Sequence, residues 1–184
     1  MAEGHREKSV RVFFALWPGK VERAALSAWR LPLHKQCNGR KMRPETLHAT
    51  LVFLGNVPEH RLEALQLAAG EVSGKTFELR LDTARYWGHN HIVYAAPGQT
   101  PELLLQLVSE LEHRLHLHSF RFDRRSYKPH VTLLRNAKWK DEPLPAMPPV
   151  IWQVHDFALV RSLSDENGAR YQVLARFPLA ERGR

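Results

Sequence analysis

Two short histidine motifs are the most informative feature of this 184-residue sequence. His48-Ala-Thr50-Leu and His130-Val-Thr132-Leu share one pattern and lie nearly half the chain length apart. Cleavage of a phosphodiester needs a base for the attacking oxygen, an acid for the departing oxygen and hydrogen-bond donors for the phosphate. Two imidazoles, which titrate near neutral pH, and two threonine hydroxyls supply these groups without a metal ion. The paired motifs therefore predict a site that cleaves phosphodiesters.

A cluster of basic residues precedes each motif. The chain has a formal net charge of +8 and a sequence pI near 10.0, which favours a polyanionic partner. If the two motif strands face each other, both clusters border the same cleft and can steer a nucleic-acid backbone toward it. The predicted nucleic-acid contacts in these clusters are Arg43 before the first motif and Arg124, Arg125 and Lys128 before the second.

Hydrophobic periodicity and turn residues divide the chain into strands and helices. Strands are predicted at 10–17, 47–54, 77–87, 91–96, 120–122, 130–134, 151–163 and 170–177. Helices are predicted at 20–31, 58–72 and 101–117, and Pro32 is expected to end the first of them. About three helices against seven or eight strands indicate an α+β fold.

Side chains alternate across a strand, so each motif strand places its histidine and threonine on one face. Ala49, Leu51 and Phe53 are expected on the opposite, buried face of the first motif strand. On the strand at 10–17, alternation directs Phe13 toward the cleft. There Phe13 either stacks on a nucleobase or packs between two lobes.

The near-repeat of the two motifs predicts a single domain over residues 1–184 with two similar lobes and polar, frayed tails at 1–9 and 181–184. No apolar run reaches the ~18 residues that span a bilayer, and the N-terminus lacks the apolar segment of a secretory signal. A single cysteine, Cys37, fits a reducing compartment. We therefore expect a cytoplasmic monomer that does not bind membranes.

His113, His116 and His118 form a second group of histidines. They fall at the end of the helix at 101–117, where imidazoles interact favourably with the helix dipole, and no carboxylate or thiolate cluster accompanies them. No phosphate-binding glycine loop is present either. The sequence therefore predicts no metal ion and no cofactor.

The segments HATLVFLG and KPHVTLLR, together with the early RVFFALWP strand, resemble the RNA 2′,3′-cyclic phosphodiesterases, also called 2′-5′ RNA ligases, of the 2H phosphoesterase superfamily. The resemblance extends from Arg11 to about Phe177. It implies a bilobal α+β fold, in which a pseudo-twofold repeat of two mixed or antiparallel sheets carries helices on its outer faces and encloses a central cleft.

The resemblance also implies roles for individual residues. His48 would be the proton donor and His130 the proton acceptor. Thr50, Thr132 and Arg135 would bind the phosphate.

The expected reaction is hydrolysis of a terminal RNA 2′,3′-cyclic phosphate, on substrates that include tRNA halves, to a 2′-phosphate. Its reversal would join RNA ends through a 2′-5′ linkage. Two alternatives remain at this point. One is a 2H phosphodiesterase for 2′-5′ oligonucleotides or small cyclic nucleotides, and the other is a basic RNA-binding module without catalysis.

Overall fold

The computed structural model describes residues 7–183, which form ten strands and three helices. The strands are β1 (Ser9–Leu16), β2 (Arg40–Lys41), β3 (Ala49–Pro58), β4 (Phe77–Leu81), β5 (Thr83–Trp87), β6 (Ile92–Ala96), β7 (Val131–Arg135), β8 (Val150–Val154), β9 (Asp156–Asp165) and β10 (Gly168–Pro178). The helices are α1 (Lys20–Cys37), α2 (Leu62–Gly70) and α3 (Glu102–Leu117).

Two four-stranded sheets form the two lobes. One has the strand order β10-β9-β1-β3 and the other β2-β7-β6-β5, and all of these neighbours are antiparallel. Each sheet therefore contains one motif strand, β3 or β7, and the predicted α+β bilobal fold is confirmed. A third ladder, β4 with β8, adds a small sheet that the sequence did not predict.

The helices pack on the sheets and enclose a common core. Helix α1 lies against β6, β7 and β8, while α3 lies against β3 and α2 against α3 and β10. Phe14, Leu33, Leu104 and Leu133 are fully buried in one cluster that joins both lobes. Burial of apolar surface, at about 25 cal/mol per Å², thus fixes the two motif strands relative to each other.

Helix α1 continues past Pro32 to Cys37, so the prediction that Pro32 ends it is wrong. The proline lies on the exposed side, and Trp29, Leu33 and Cys37 continue a buried stripe at helical spacing. A proline inside a helix costs about 3 kcal/mol, and burial of this stripe offsets the cost. The helix ends at Cys37, and the C-cap residue Asn38 has a φ of 53°.

Strand β3 extends to Pro58, which was predicted to begin a helix. Pro58 instead pairs with Ser9 at the end of an edge strand, where a missing N–H is tolerated. A 3₁₀ turn at Glu59–Arg61 follows, and α2 begins only at Leu62.

Two predicted long strands are each divided between different sheets. The strand at 77–87 breaks at Asp82, whose side chain accepts a hydrogen bond from the Gly98 N–H, and the strand at 151–163 breaks at His155. The predicted strand at 120–122 is irregular, with Phe120 buried in the core.

Part of the predicted N-terminal tail is held in place. The carbonyl of Lys8 accepts the Glu59 N–H, Ser9 belongs to β1, and Glu7 contacts His60. At the other end, Arg182 donates to the Thr76 carbonyl. Residues 1–6 and 184 of the two predicted tails lie outside the described residues.

Across residues 7–183, none of the helices combines the length and the apolar character needed to cross a membrane.

Candidate active site

A β-bulge near the start of each motif strand decides which side chains enter the cleft. In β3 the register places Thr50 opposite Ala15 and Val52 opposite Phe14, which leaves Leu51 as the extra residue. A bulge shifts the alternation by one position beyond it. Phe53 therefore faces the cleft beside Thr50, and the expectation that it shares the buried face of Leu51 is wrong.

Strand β7 repeats this irregularity. Thr132 lies opposite Tyr94 and Leu134 opposite Val93, so Leu133 is the extra residue. Simple alternation would place Arg135 on the face opposite His130. The bulge instead brings Arg135 to the cleft with Thr132.

The two motif histidines have the same local geometry. Nδ1 of His48 lies 2.7 Å from the Thr46 carbonyl oxygen, and Nδ1 of His130 lies 2.7 Å from the Lys128 carbonyl oxygen. A carbonyl only accepts, so Nδ1 carries the hydrogen in both rings and donates it. Nε2 of each neutral ring is left with a lone pair that can take up a proton.

Aromatic rings enclose His48. Phe13 lies 4.9 Å and Tyr171 5.1 Å from the imidazole centroid, and Trp17 stacks on it at 5.7 Å. The Thr50 hydroxyl donates to Nε2 at 3.0 Å. Burial lowers the pKa of His48 to about 4, more strongly than the hydrogen bond to Thr46 raises it.

His130 is held between other aromatic groups. The Trp87 ring meets it edge-on at 4.6 Å between centroids, and Tyr94 lies at 5.6 Å. Burial also lowers the pKa of His130, and the nearby Arg135 guanidinium acts in the same direction. Both imidazoles are therefore neutral in the free protein near neutral pH.

One cavity of about 510 Å³ brings both motifs together. Its lining includes His48, Thr50, His130, Thr132 and Arg135. The structure thus collects these five predicted residues around one space. Their catalytic and phosphate-binding roles stay predictions.

Several other residues on the cavity wall were not predicted as site residues from the sequence. Arg11, Phe53, Ser162 and Tyr171 all line it, and the Arg11 guanidinium lies 4.7 Å from the Phe53 ring centroid. Arg11 pairs with Ser162 and Ser162 with Tyr171 across three neighbouring strands. A sequence motif does not reveal such residues, because they lie far apart in the chain and only the register of the sheet places them side by side.

The predicted RNA contacts have different surroundings. Phe13 lines the cavity but is only 4% exposed, with its ring against His48. Arg43 lies outside the lining, with an ion pair to Glu45 and a hydrogen bond to the Ala169 carbonyl.

The three basic residues predicted on the second loop also lie outside the cavity lining. Arg124 donates to Nδ1 of His116, and Arg125 forms an ion pair with Asp123. Lys128 is exposed. Their contacts with RNA stay predictions.

Arg23, on α1, organises the segment that carries His48. Its guanidinium donates to the carbonyls of Pro18, Pro44 and Leu47, and it lies 5.3 Å from the ring centroid of Trp17. These carbonyls belong to the connection between β1 and α1 and to the turn directly before His48. One side chain therefore joins the two chain segments that enclose the first histidine.

Within the described part of the chain, no three or more His, Cys, Asp or Glu side chains group closely enough to hold a metal ion. Of the histidines at the end of α3, His118 pairs with Glu71 at 3.0 Å.

The antiparallel bilobal fold and the two symmetrically held histidines define a 2H type of phosphoesterase site. The chain belongs to the 2'-5' RNA ligase superfamily, whose family model matches residues 17–166.

Two relatives named RNA 2',3'-cyclic phosphodiesterase align with nearly the whole chain. The RNA 2',3'-cyclic phosphodiesterase of Escherichia coli is 32% identical over 175 residues, which are 93% of this chain and 97% of that protein. The protein of the same name from Thermus thermophilus is 32% identical over 95% of this chain and 93% of its own length. The crystal structure of E. coli LigT complexed with 3'-AMP superposes with a TM-score of 0.85 at 31% identity, covering 94% of this chain and 99% of that one.

Proposed function

We propose that this protein is an RNA 2′,3′-cyclic phosphodiesterase, which hydrolyses the terminal cyclic phosphate to a 2′-phosphate without a metal ion. The observation that carries this proposal is the pair of imidazoles, each with Nδ1 donating to the carbonyl two residues before it, on one cavity of about 510 Å³. The relatives with the name RNA 2',3'-cyclic phosphodiesterase support the assignment of substrate.

The reaction needs one proton removed and one delivered. Nε2 of His130 takes a proton from water as the water oxygen attacks phosphorus. The bond between phosphorus and the 3′ oxygen breaks, and Nε2–H of His48 protonates that oxygen. The products are a 2′-phosphate and a 3′-hydroxyl, and exchange of the two protons with solvent restores both rings.

Substrate binding prepares His48 for its role as acid. Its pKa of about 4 leaves it neutral in the free cleft near neutral pH. An anionic phosphate beside the ring stabilises the imidazolium and raises this pKa. The Thr50 hydroxyl then turns from Nε2 to a phosphate oxygen, and Thr132 and Arg135 bind the remaining oxygens.

The direction of the reaction depends on the nucleophile. A 5′-hydroxyl of RNA in the position of the water would give a 2′-5′ linkage by the reverse path. Water is far more abundant, so hydrolysis dominates unless the RNA ends are held together. We propose that the protein acts as a cytoplasmic monomer on RNA ends such as those of tRNA halves, with Phe13, Arg43, Arg124 and Lys128 contacting the RNA. The ion pair of Arg125 with Asp123 argues against the RNA contact expected for Arg125.

Phosphorus NMR of a 2′,3′-cyclic mononucleotide tests this proposal. The cyclic phosphate resonance should be replaced by that of a 2′-monoester, in the presence of a chelator as well. A 3′-monoester would contradict the proposed leaving oxygen. RNA binding without turnover of either a mononucleotide or an oligonucleotide would favour a non-catalytic RNA-binding module instead.

A further inference from the structure

A second cavity, of about 400 Å³, lies on the chain that connects α3 to β7. We call it the connector pocket, and it is lined by His116, Ser119, Phe120, Arg121, Phe122 and Arg124. Phe120 is 5% exposed and anchors this segment in the core. The connector pocket is therefore a supported surface and not the tip of a free loop.

Two arginines and a histidine line the connector pocket without a carboxylate to pair with them. Arg124 lies 5.2 Å from the Phe122 ring centroid and donates to Nδ1 of His116 at 3.4 Å. Among the described residues, no acidic oxygen lies within 4.0 Å of Arg121, Arg124 or His116. Positive charge next to an aromatic ring is the combination that binds single-stranded nucleic acid.

The neighbouring Arg125 has a different environment. Asp123 accepts hydrogen bonds from both the side chain and the backbone N–H of Arg125. The positive charge of Arg125 is thus compensated by the carboxylate of Asp123. Glu112 on α3 is near enough for Arg124 to lower its pKa, but burial raises that pKa more strongly.

The connector pocket is attached to the edge of the catalytic cleft. The Asp123 N–H donates to the carbonyl of Phe53 at 2.9 Å, and Phe53 lines the cavity that contains both motifs. Phe122 and Arg124 flank Asp123 in the chain. The segment that forms the connector pocket is therefore joined to the wall of the cleft, and this is the side on which we place the body of the RNA.

We propose that the connector pocket binds a nucleotide of the RNA body on the 5′ side of the reacting end, with its base on Phe122 and its phosphates on Arg121 and Arg124. This inference rests on the proposed function, because it assumes an RNA end in the cleft. In this arrangement Arg124 contacts the RNA, whereas Arg125 pairs with Asp123.

The test compares an Arg121→Gln/Arg124→Gln variant with Arg125→Gln, a matched control from the same loop. Turnover is measured on a 2′,3′-cyclic mononucleotide and on oligonucleotides of increasing length that end in a cyclic phosphate. The double variant should keep mononucleotide turnover within about twofold. It should lose roughly tenfold or more in kcat/KM on the longer RNAs, and Phe122→Ala should lose about tenfold through base stacking.

Salt dependence gives an independent measurement. Fluorescence anisotropy reports the binding of an RNA that carries a plain 3′-hydroxyl, so it does not depend on turnover. Two lost phosphate contacts should reduce the slope of log Kd against log salt by about 1.4, since each contributes about 0.7 on single strands. Arg125→Gln should leave the slope nearly unchanged.

Several outcomes would overturn the inference. The first is an equal loss of kcat/KM by the double variant on mononucleotide and oligonucleotide. The second is no loss of kcat/KM on any RNA, and the third is the same loss in Arg125→Gln. If the double variant proves unstable by thermal melting, Arg121→Gln and Arg124→Gln are tested singly against the same control. Failure of the wild-type protein to hydrolyse any cyclic phosphate would instead contradict the proposed function, while the binding assay would still decide whether the connector pocket holds RNA.

Discussion

The Thr50 hydroxyl oxygen lies 3.0 Å from Nε2 of His48, and this hydrogen bond joins the proposed acid to a proposed phosphate ligand. Burial keeps the imidazole neutral near neutral pH and Nδ1 carries its hydrogen, so the hydroxyl donates to Nε2 in the free protein. Protonation of the ring would reverse this bond, with Nε2–H donating to the hydroxyl oxygen. A phosphate that draws the hydroxyl to itself frees Nε2 for protonation, so substrate binding and activation of the acid are linked.

This linkage predicts the pH dependence of the enzyme. Activity needs a protonated His48 and a neutral His130, and burial lowers the pKa of both below the ordinary 6.5, to about 4 for His48. The free protein loses the protonated acid as pH rises, so the bell-shaped profile of kcat/KM should have its optimum below pH 6.5. The bound phosphate raises the pKa of His48, so the optimum of kcat should lie at higher pH. Optima above pH 7 for both parameters would contradict these protonation states.

Removal of either histidine should abolish most catalysis. General acid–base help is worth about 10²–10⁴-fold per group, so His48→Ala and His130→Ala should each lose about that much in kcat while retaining the fold, as measured by circular dichroism. The double variant should lose less than the product of the two, because the groups act in one concerted step. Full activity in either single variant would contradict the mechanism.

The two histidines should respond differently to the leaving group. A nitrophenyl ester needs little protonation of its departing oxygen, so it should restore much of the activity of His48→Ala and little of that of His130→Ala. Steady-state rates on both ester and cyclic phosphate provide the comparison. Recovery of the His130 variant would reverse the donor and acceptor assignments and leave the two-histidine mechanism intact.

Chelators should not affect turnover. The mechanism moves both protons through imidazoles and binds the phosphate through hydroxyls and a guanidinium. Rates before and after dialysis against excess chelator measure this, with a zinc-dependent phosphodiesterase as the positive control. Loss of activity that one divalent ion restores would require a metal-dependent mechanism.

Arg23 should act as a positioning residue for His48. Arg23→Gln removes a positive charge that lowers the pKa of His48, so NMR titration of that imidazole should show a higher pKa. It also removes hydrogen bonds to three carbonyls, which should lower the free energy of unfolding by about 1–3 kcal/mol and reduce kcat more than it raises KM. His130 and Arg135 also influence this pKa and are unchanged in the variant.

Arg30→Gln is the matched control for Arg23. Arg30 lies on the same helix and donates to two carbonyls, those of Ser27 and Met42, but it does not affect the pKa of His48. Its variant should lose stability without moving the titration of His48. If Arg23→Gln behaved in the same way, Arg23 would serve the fold alone.

The sequence by itself was sufficient for the class of fold and for the enzyme family. The two His-x-Thr motifs, their basic neighbours and the hydrophobic periodicities are local signals, and they predicted the α+β bilobal architecture that the structure confirms. Residues two apart in an extended segment point to the same side, so His48 and Thr50 had to lie next to each other.

The register of the strands, the length of α1 and the neighbours of His48 were decided only by the tertiary structure. Register, for example, depends on partner strands that the local pattern does not specify. The bulges at Leu51 and Leu133 turn Phe53 and Arg135 into the cleft, against simple alternation. Core packing carries α1 through a proline that should have ended it. Tyr171 reaches His48 across the sheet that contains both β10 and β3, and Arg23 reaches it from α1, which packs against the other sheet.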